Sequence, residues 1–156
     1  MIDTEYLIGL VKDQYQGNWE GVHGGDHIRR VMENGLYLAK FTGANEDVIK
    51  LFAIFHDSRR VDDWEDIYHG PRGAVLAESW RGLYYDIGDQ DFRLLQGACD
   101  LHTTADTHSN VTIQTCFDAD RLDLGRVGIT PDPNLLCTDI ARDLKTIEWA
   151  YQRSLN

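Results

Sequence analysis

The chain has 156 residues, 42% of them apolar and 26% charged, enough to bury a core as one domain without covalent staples. Its net charge of −11 argues against nucleic acid or an anionic membrane surface as the main partner, since both would be repelled at long range. Three cysteines (Cys99, Cys116, Cys137) without CxxC spacing read as reduced core thiols of a cytoplasmic protein, and no segment has the pattern of a signal peptide or a membrane span.

The apolar spacing is helical almost throughout. Residues 3–16 predict a short amphipathic helix, and a glycine-rich turn, Gly21-Val22-His23-Gly24-Gly25, leads into a helix over 26–41 that ends at Gly43. Asn45 is a good N-cap for the next helix, with Glu46 and Asp47 in the first turn, where the helix dipole favours anions. That helix runs Val48-Ile49-Lys50-Leu51-Phe52-Ala53-Ile54-Phe55, apolar nearly all round as a buried central helix must be, and His56-Asp57 close it. Residues 58–73 are polar, dense in charge and contain Pro71, so a loop is expected. Helices follow over 74–82, 90–103, 110–124 and 138–153, with Asn110 capping the 110–124 helix and Gly125 stopping it. No strand is predicted, and the fold class is all-α. Trp64, Tyr68, Trp80, Tyr84 and Tyr85 are expected to pack in the core, with base stacking as the alternative. No pattern encodes an oligomeric state.

Several polar side chains fall where these helices should be dry. Ile113, Phe117, Asp120 and Leu124 share one helix face, and a carboxylate inside an apolar stripe is costly unless paired, either with an arginine or with a metal. Two ionisable neighbours, His56 and Asp57, at the end of an apolar helix make sense if a cation takes one or both; the alternative is a pair of capping side chains. His27 opens its helix just after Gly24-Gly25, where its ring can project back toward a pocket that His23 could line. His102 shares a face with Leu95 and Ala98 and, alone, reads as a hydrogen-bonded core histidine, while His108 reads as a loop residue. Together His27, His56, Asp57 and Asp120 make a mixed nitrogen and oxygen set suited to a hard or borderline divalent cation rather than a thiolate-preferring one.

Three segments resemble the HD-domain superfamily of metal-dependent phosphohydrolases. His27-Ile28-Arg29-Arg30-Val31 is similar to its first-ligand helix, Leu51-Phe52-Ala53-Ile54-Phe55-His56-Asp57 to the apolar helix ending in its His-Asp doublet, and Ala119-Asp120-Arg121-Leu122-Asp123 to its last-ligand helix. The resemblance spans roughly residues 20–125 of a single HD-like domain over 1–156. It implies a helical bundle whose core holds a metal through His27, His56, Asp57 and Asp120. Many members keep two more histidines between the doublet and the last aspartate for a second metal, bridged by the doublet aspartate. His69, in His69-Gly70-Pro71-Arg72-Gly73-Ala74, and His102, in Cys99-Asp100-Leu101-His102, occur in that interval in suitable order. The chain departs from the pattern after the doublet. Several family enzymes have acids one turn on; here stand Ser58-Arg59-Arg60-Val61, with Asp62, Asp63, Glu65 and Asp66 beyond. Arg59 and Arg60 are candidates to hold a phosphate, whose oxygens their planar forks match, or to pair with those acids in a solvated loop.

The activity this implies is hydrolysis of a small phosphate ester, a nucleotide included, by attack of metal-bound water of lowered pKa. One or two divalent ions are expected, from among Mn, Fe, Co, Ni, Zn and Mg, with Asp57, Arg59, Arg60 and His102 as the residues acting on substrate. The alternatives are an HD-type diiron oxygenase, which needs all six ligands, and a non-catalytic metal-stabilised binding module, which the missing acids suggest.

Overall fold

In the computed structural model, which describes residues 1–156, the apolar run at 48–55 lies in helix α3 (Glu46–Phe55) and is buried on every side except at Lys50. Asn45 Oδ1 accepts from the Val48 N–H at 3.1 Å, so the N-cap is the expected one. A helix apolar all round must be enclosed, and α3 is: α1 (Thr4–Gln14), α2 (Gly25–Thr42), α5 (Asp89–Leu101) and α6 (Val111–Arg121) pack around it, and α4 (His69–Trp80) lies against α5 and α3. A second, smaller apolar cluster around Leu38, Leu122, Leu136 and Ile147 seats α7 (Asp139–Arg142) and α8 (Leu144–Ser154) against α2. Two 3-10 turns, Leu124–Val127 and Pro133–Leu135, connect α6 to α7. No strand forms, only an isolated bridge between Arg81 and Tyr85, and no helix is long and apolar enough to cross a membrane.

Three expectations are corrected. The helix expected over 138–153 is broken at Asp143, which turns extended (ψ 127°) and caps α8 by accepting from the Lys145 N–H at 2.8 Å. Its short side chain competes with helical hydrogen bonding, which favours a cap over a helix interior. The segment 58–73 is not all loop, because α4 begins at His69 rather than at 74. Pro71 does not prevent this, since it lies in the first turn, where the missing N–H has no helical partner to lose. Of the aromatics, Tyr85 is buried and donates its hydroxyl to Ala77 O at 2.6 Å, and Trp80 packs on the core, but Trp64, Tyr68 and Tyr84 are exposed. Cys99 and Cys116 are buried and Cys137 is half-buried; all three are free.

Helix α4 approaches its neighbours through two glycines. A Cβ on Gly73 would lie 2.2 Å from Phe55 O, and one on Gly70 would lie 2.3 Å from Cys99 O. Backbone cannot yield as a side-chain tip can, so Gly73→Ala should push α4 off the end of α3 and destabilise the protein by about 1–3 kcal/mol. Chemical denaturation measures this, and an unchanged midpoint would show that α4 can shift without loss.

Candidate metal centre

Each histidine ring at the core is oriented by the partner of its Nδ1. His56 Nδ1 faces Phe52 O and Ala53 O at 3.0 and 3.1 Å, one turn back in α3. His102 Nδ1 faces Cys99 O at 2.8 Å, and His69 Nδ1 faces Asp66 O. Carbonyl oxygens only accept, so these nitrogens donate. His27 Nδ1, 2.6 Å from Asp123 Oδ2, donates to a carboxylate in the same way. In its neutral form each of the four rings therefore turns an Nε2 lone pair inward. The Nε2 atoms of His27 and His56 are 3.1 Å apart, and those of His69 and His102 are 2.9 Å apart. Lone pairs so close repel unless a proton or a cation lies between them.

Asp57 sits between the two pairs with one oxygen for each. Its Oδ2 is 3.2 Å from Nε2 of both His27 and His56, and its Oδ1 is 3.2 Å from His69 Nε2 and 3.9 Å from His102 Nε2. Asp120 Oδ1 lies 3.2 and 3.5 Å from the first pair and is buried without a hydrogen-bond partner. The ligand atoms of His27, His56, Asp57 and Asp120 fall within 4.8 Å of one another, as do those of Asp57, His69 and His102. Donors about 2.1 Å from a shared ion stand roughly 3–3.4 Å apart, which is the spacing of the closest pairs. Inward lone pairs, an orphaned buried oxygen and a nitrogen and carboxylate donor set thus fit divalent cations of borderline hardness.

The electrostatics point the same way. Burial alone would raise the Asp57 and Asp120 carboxyls, yet the facing histidines hold both well below the usual carboxylate range. Burial lowers His56, but Asp57 and Asp120 outweigh it and push the ring up to about 10. His27 also moves up, because Asp120, Asp123 and Asp57 overcome burial and Arg126. Burial next to His56 brings His102 down to about 4. Without metal, His56 therefore keeps a proton at neutral pH, and a cation must displace it. Metal loading at pH 7 should release protons, and apparent affinity should fall about tenfold per pH unit for each displaced proton as pH is lowered. Titration with manganese in weak buffer tests this; loading without proton release would contradict it.

The six histidine and aspartate candidates, His27, His56, Asp57, His69, His102 and Asp120, converge in this cluster. His69 reaches it because Asp66 ties down the preceding loop. Asp66 Oδ2 accepts from the Val61 N–H at 2.8 Å, its Oδ1 accepts from Arg72, and its carbonyl receives His69. Arg60 lies at the cluster, donating from Nε to Asp57 Oδ1 at 3.1 Å and from Nη1 to Asp62 O at 3.0 Å. Arg59 lies away from it, exposed in a groove with Tyr68, Arg72 and Val75 on the outside of α4. His23 lines the site, its ring edge-on to His27 and its Nδ1 2.9 Å from Asp63 Oδ1. His108 stays outside and accepts from the Asn110 N–H.

Three neighbours of the cluster were not singled out from the sequence. Asp123 holds His27 and accepts from Arg30 Nε at 2.7 Å, and Arg126 stands beside Asp120. The available signal was spacing: Asp123 and Arg126 follow Asp120 at successive offsets of three. A cavity of about 570 Å³ opens beside His102, bounded by Thr103, Thr107 and the segment 129–136, within the size range of small-molecule sites.

No protein-family model and no curated protein matches the chain. A solved structure from an uncultured Thermotogales bacterium, described as a predicted HD superfamily hydrolase, is similar with a TM-score of 0.71 and 23% sequence identity, over 95% of this chain and 84% of its own. That likeness shows the fold, the all-α HD-type bundle that the three sequence segments implied.

Proposed function

We propose that the protein is a metal-dependent phosphohydrolase acting on a small phosphate ester, a nucleotide among the candidates. One ion would be held by His27, His56, Asp57 and Asp120, and a second by Asp57, His69 and His102. The observation that carries this reading is the pair of facing Nε2 lone pairs with one Asp57 oxygen turned to each. Bound there, a divalent ion lowers the pKa of coordinated water toward neutrality and offsets charge on phosphoryl oxygens.

The chain's own residues prepare the site. Asp123 and four backbone carbonyls fix the imidazoles, so little ordering remains to be done on binding. Arg60 Nε holds Asp57 Oδ1 and keeps the carboxylate oriented between the two pairs. Near-complete burial of the histidines keeps bulk water away, and the cavity beside His102 has room for the organic part of an ester. A small phosphorylated molecule suits a chain whose net charge repels nucleic acid. The reduced thiols suit a cytoplasmic location.

Elemental analysis followed by a panel of phosphate monoesters and nucleotides tests the reading. The expected result is one or two transition-metal ions per chain and metal-dependent phosphate release. Protein without bound metal, and without activity on adding manganese, cobalt or nickel, would overturn it. The convergence of all six ligands, His69 and His102 included, also meets the requirement of an HD-type diiron oxygenase. Iron near two per chain with oxygen-dependent substrate loss would favour that second reading.

A further inference from the structure

Exposure is graded across the cluster, and the gradient locates its mouth. The side chains of the four histidines and Asp57 are at most 3% exposed, whereas Asp120 is 17%, Arg60 11% and Arg126 10% exposed. On the side away from the cavity at His102, an anion therefore meets Asp120 and these two guanidiniums before it meets His27, His56 or Asp57. The two cations are not equivalent. Both leave Nη2 without a hydrogen bond, but Arg60 spends its charge on the Asp57 carboxylate, donating from Nε at 3.1 Å as well as from Nη1 to Asp62 O.

Arg126 is held by backbone instead. Its Nε donates to Val22 O and its Nη1 to Asp123 O, both at 2.9 Å, which fixes the plane of the fork. Its Nη2 makes no hydrogen bond, and the nearest carboxylate oxygen to it, Asp120 Oδ1, is 3.9 Å away. A partly buried guanidinium with two of its nitrogens anchored and the third free is preorganised for an oxyanion. It needs no side-chain ordering when the anion arrives. The carboxylates of Asp57 and Asp120 would otherwise repel an anion on this path, so a fixed cation at the mouth has a definite electrostatic role.

We infer that Arg126 is the anion-binding side chain of the site, donating from Nη2 to a phosphoryl oxygen of an incoming phosphate monoester. Arg59, outside α4, takes no part. The inference deepens the phosphohydrolase reading and rests on it, and the test separates the two. Manganese-loaded protein is titrated calorimetrically with inorganic phosphate, for the natural chain and for Arg126→Gln, Arg126→Lys and Arg59→Gln, with manganese content and melting temperature recorded for each. Arg126→Gln should weaken phosphate binding about 10- to 100-fold with manganese content intact, the range for loss of one charge-assisted hydrogen bond. Arg126→Lys should weaken it less, because a charge remains, and Arg59→Gln should leave it unchanged.

Phosphate binding equal to that of the natural chain in Arg126→Gln overturns the inference. So does equal weakening in Arg126→Lys and Arg126→Gln accompanied by equal loss of melting temperature, since that pattern marks the two carbonyl anchors rather than the anion. A natural chain that binds manganese but no phosphate also overturns it. Arg126-dependent phosphate binding by a protein that hydrolyses no ester would uphold the anion site and remove the phosphohydrolase reading.

Discussion

Asp57→Ala should empty the centre of metal and lower phosphate-ester turnover by about 10³-fold or more. Loss of one preorganised electrostatic group at an active site already costs roughly 10²–10³, and Asp57 is more than one group's worth of contact. It is the only carboxylate with oxygens within 4 Å of all four Nε2 atoms, so its loss affects both halves of the centre together. It also leaves Arg60 buried without its carboxylate, and breaking a buried pair from one side costs about 3–5 kcal/mol. Elemental analysis, ester hydrolysis and thermal unfolding of the same preparation measure the three effects. Asp57→Asn, which keeps the volume, should lose metal and turnover with a smaller loss of stability. Metal and turnover retained in both variants would mean that the centre is assigned to the wrong carboxylate. Lost metal and stability in a protein whose natural form never hydrolyses any substrate would instead favour the non-catalytic, metal-stabilised module.

The parts of the fold that local pattern decides were legible in the sequence. Helix α3 is an apolar run with an asparagine cap and surrounds that must be dry, so its burial and the burial of His56-Asp57 at its end follow from composition alone. Asp120 stood out because an aspartate in an apolar stripe needs a reason, and the reason in the structure is a pair of imidazoles. What local pattern does not decide was not legible. Arg59 and Arg60 are adjacent and chemically identical, yet the turn after α3 sends one outside α4 and the other to Asp57. The start of α4 was hidden because Pro71 and a charge-rich stretch imitate a loop, while the contacts that seat the helix, Gly70 on Cys99 O and Gly73 on Phe55 O, are tertiary. Asp123 was visible as a spacing, but one of its partners, Arg30, lies 93 residues away along the chain. The break at Asp143 was readable in principle, since aspartate caps a helix better than it sits inside one.

The second large effect is expected at Asp123, a residue with no direct part in holding metal. Its carboxylate, 1% exposed, accepts from His27 Nδ1 at 2.6 Å and from Arg30 Nε at 2.7 Å. Burial would raise its pKa, but His27 and Arg30 hold it below the usual carboxylate range, so it is ionised at neutral pH. Asp123→Ala removes the acceptor from a fully buried ring and from a mostly buried guanidinium together, which should destabilise the protein by about 3–5 kcal/mol. It should also weaken metal binding about 10- to 100-fold, the usual cost of losing the partner that orients a ligating histidine. The physical cause is the tautomer: without an acceptor at Nδ1, His27 can carry its proton on Nε2 and present N–H where the cation needs a lone pair. Asp123→Asn distinguishes these effects, because its single acceptor oxygen can serve His27 or Arg30 but not both, and both losses should fall between those of Asp123→Ala and the natural chain. Denaturant unfolding of the metal-free protein reads the first effect and competition with a chromogenic chelator reads the second. If both variants bind metal as tightly as the natural chain, His27 is held by packing alone and the carboxylate serves only Arg30.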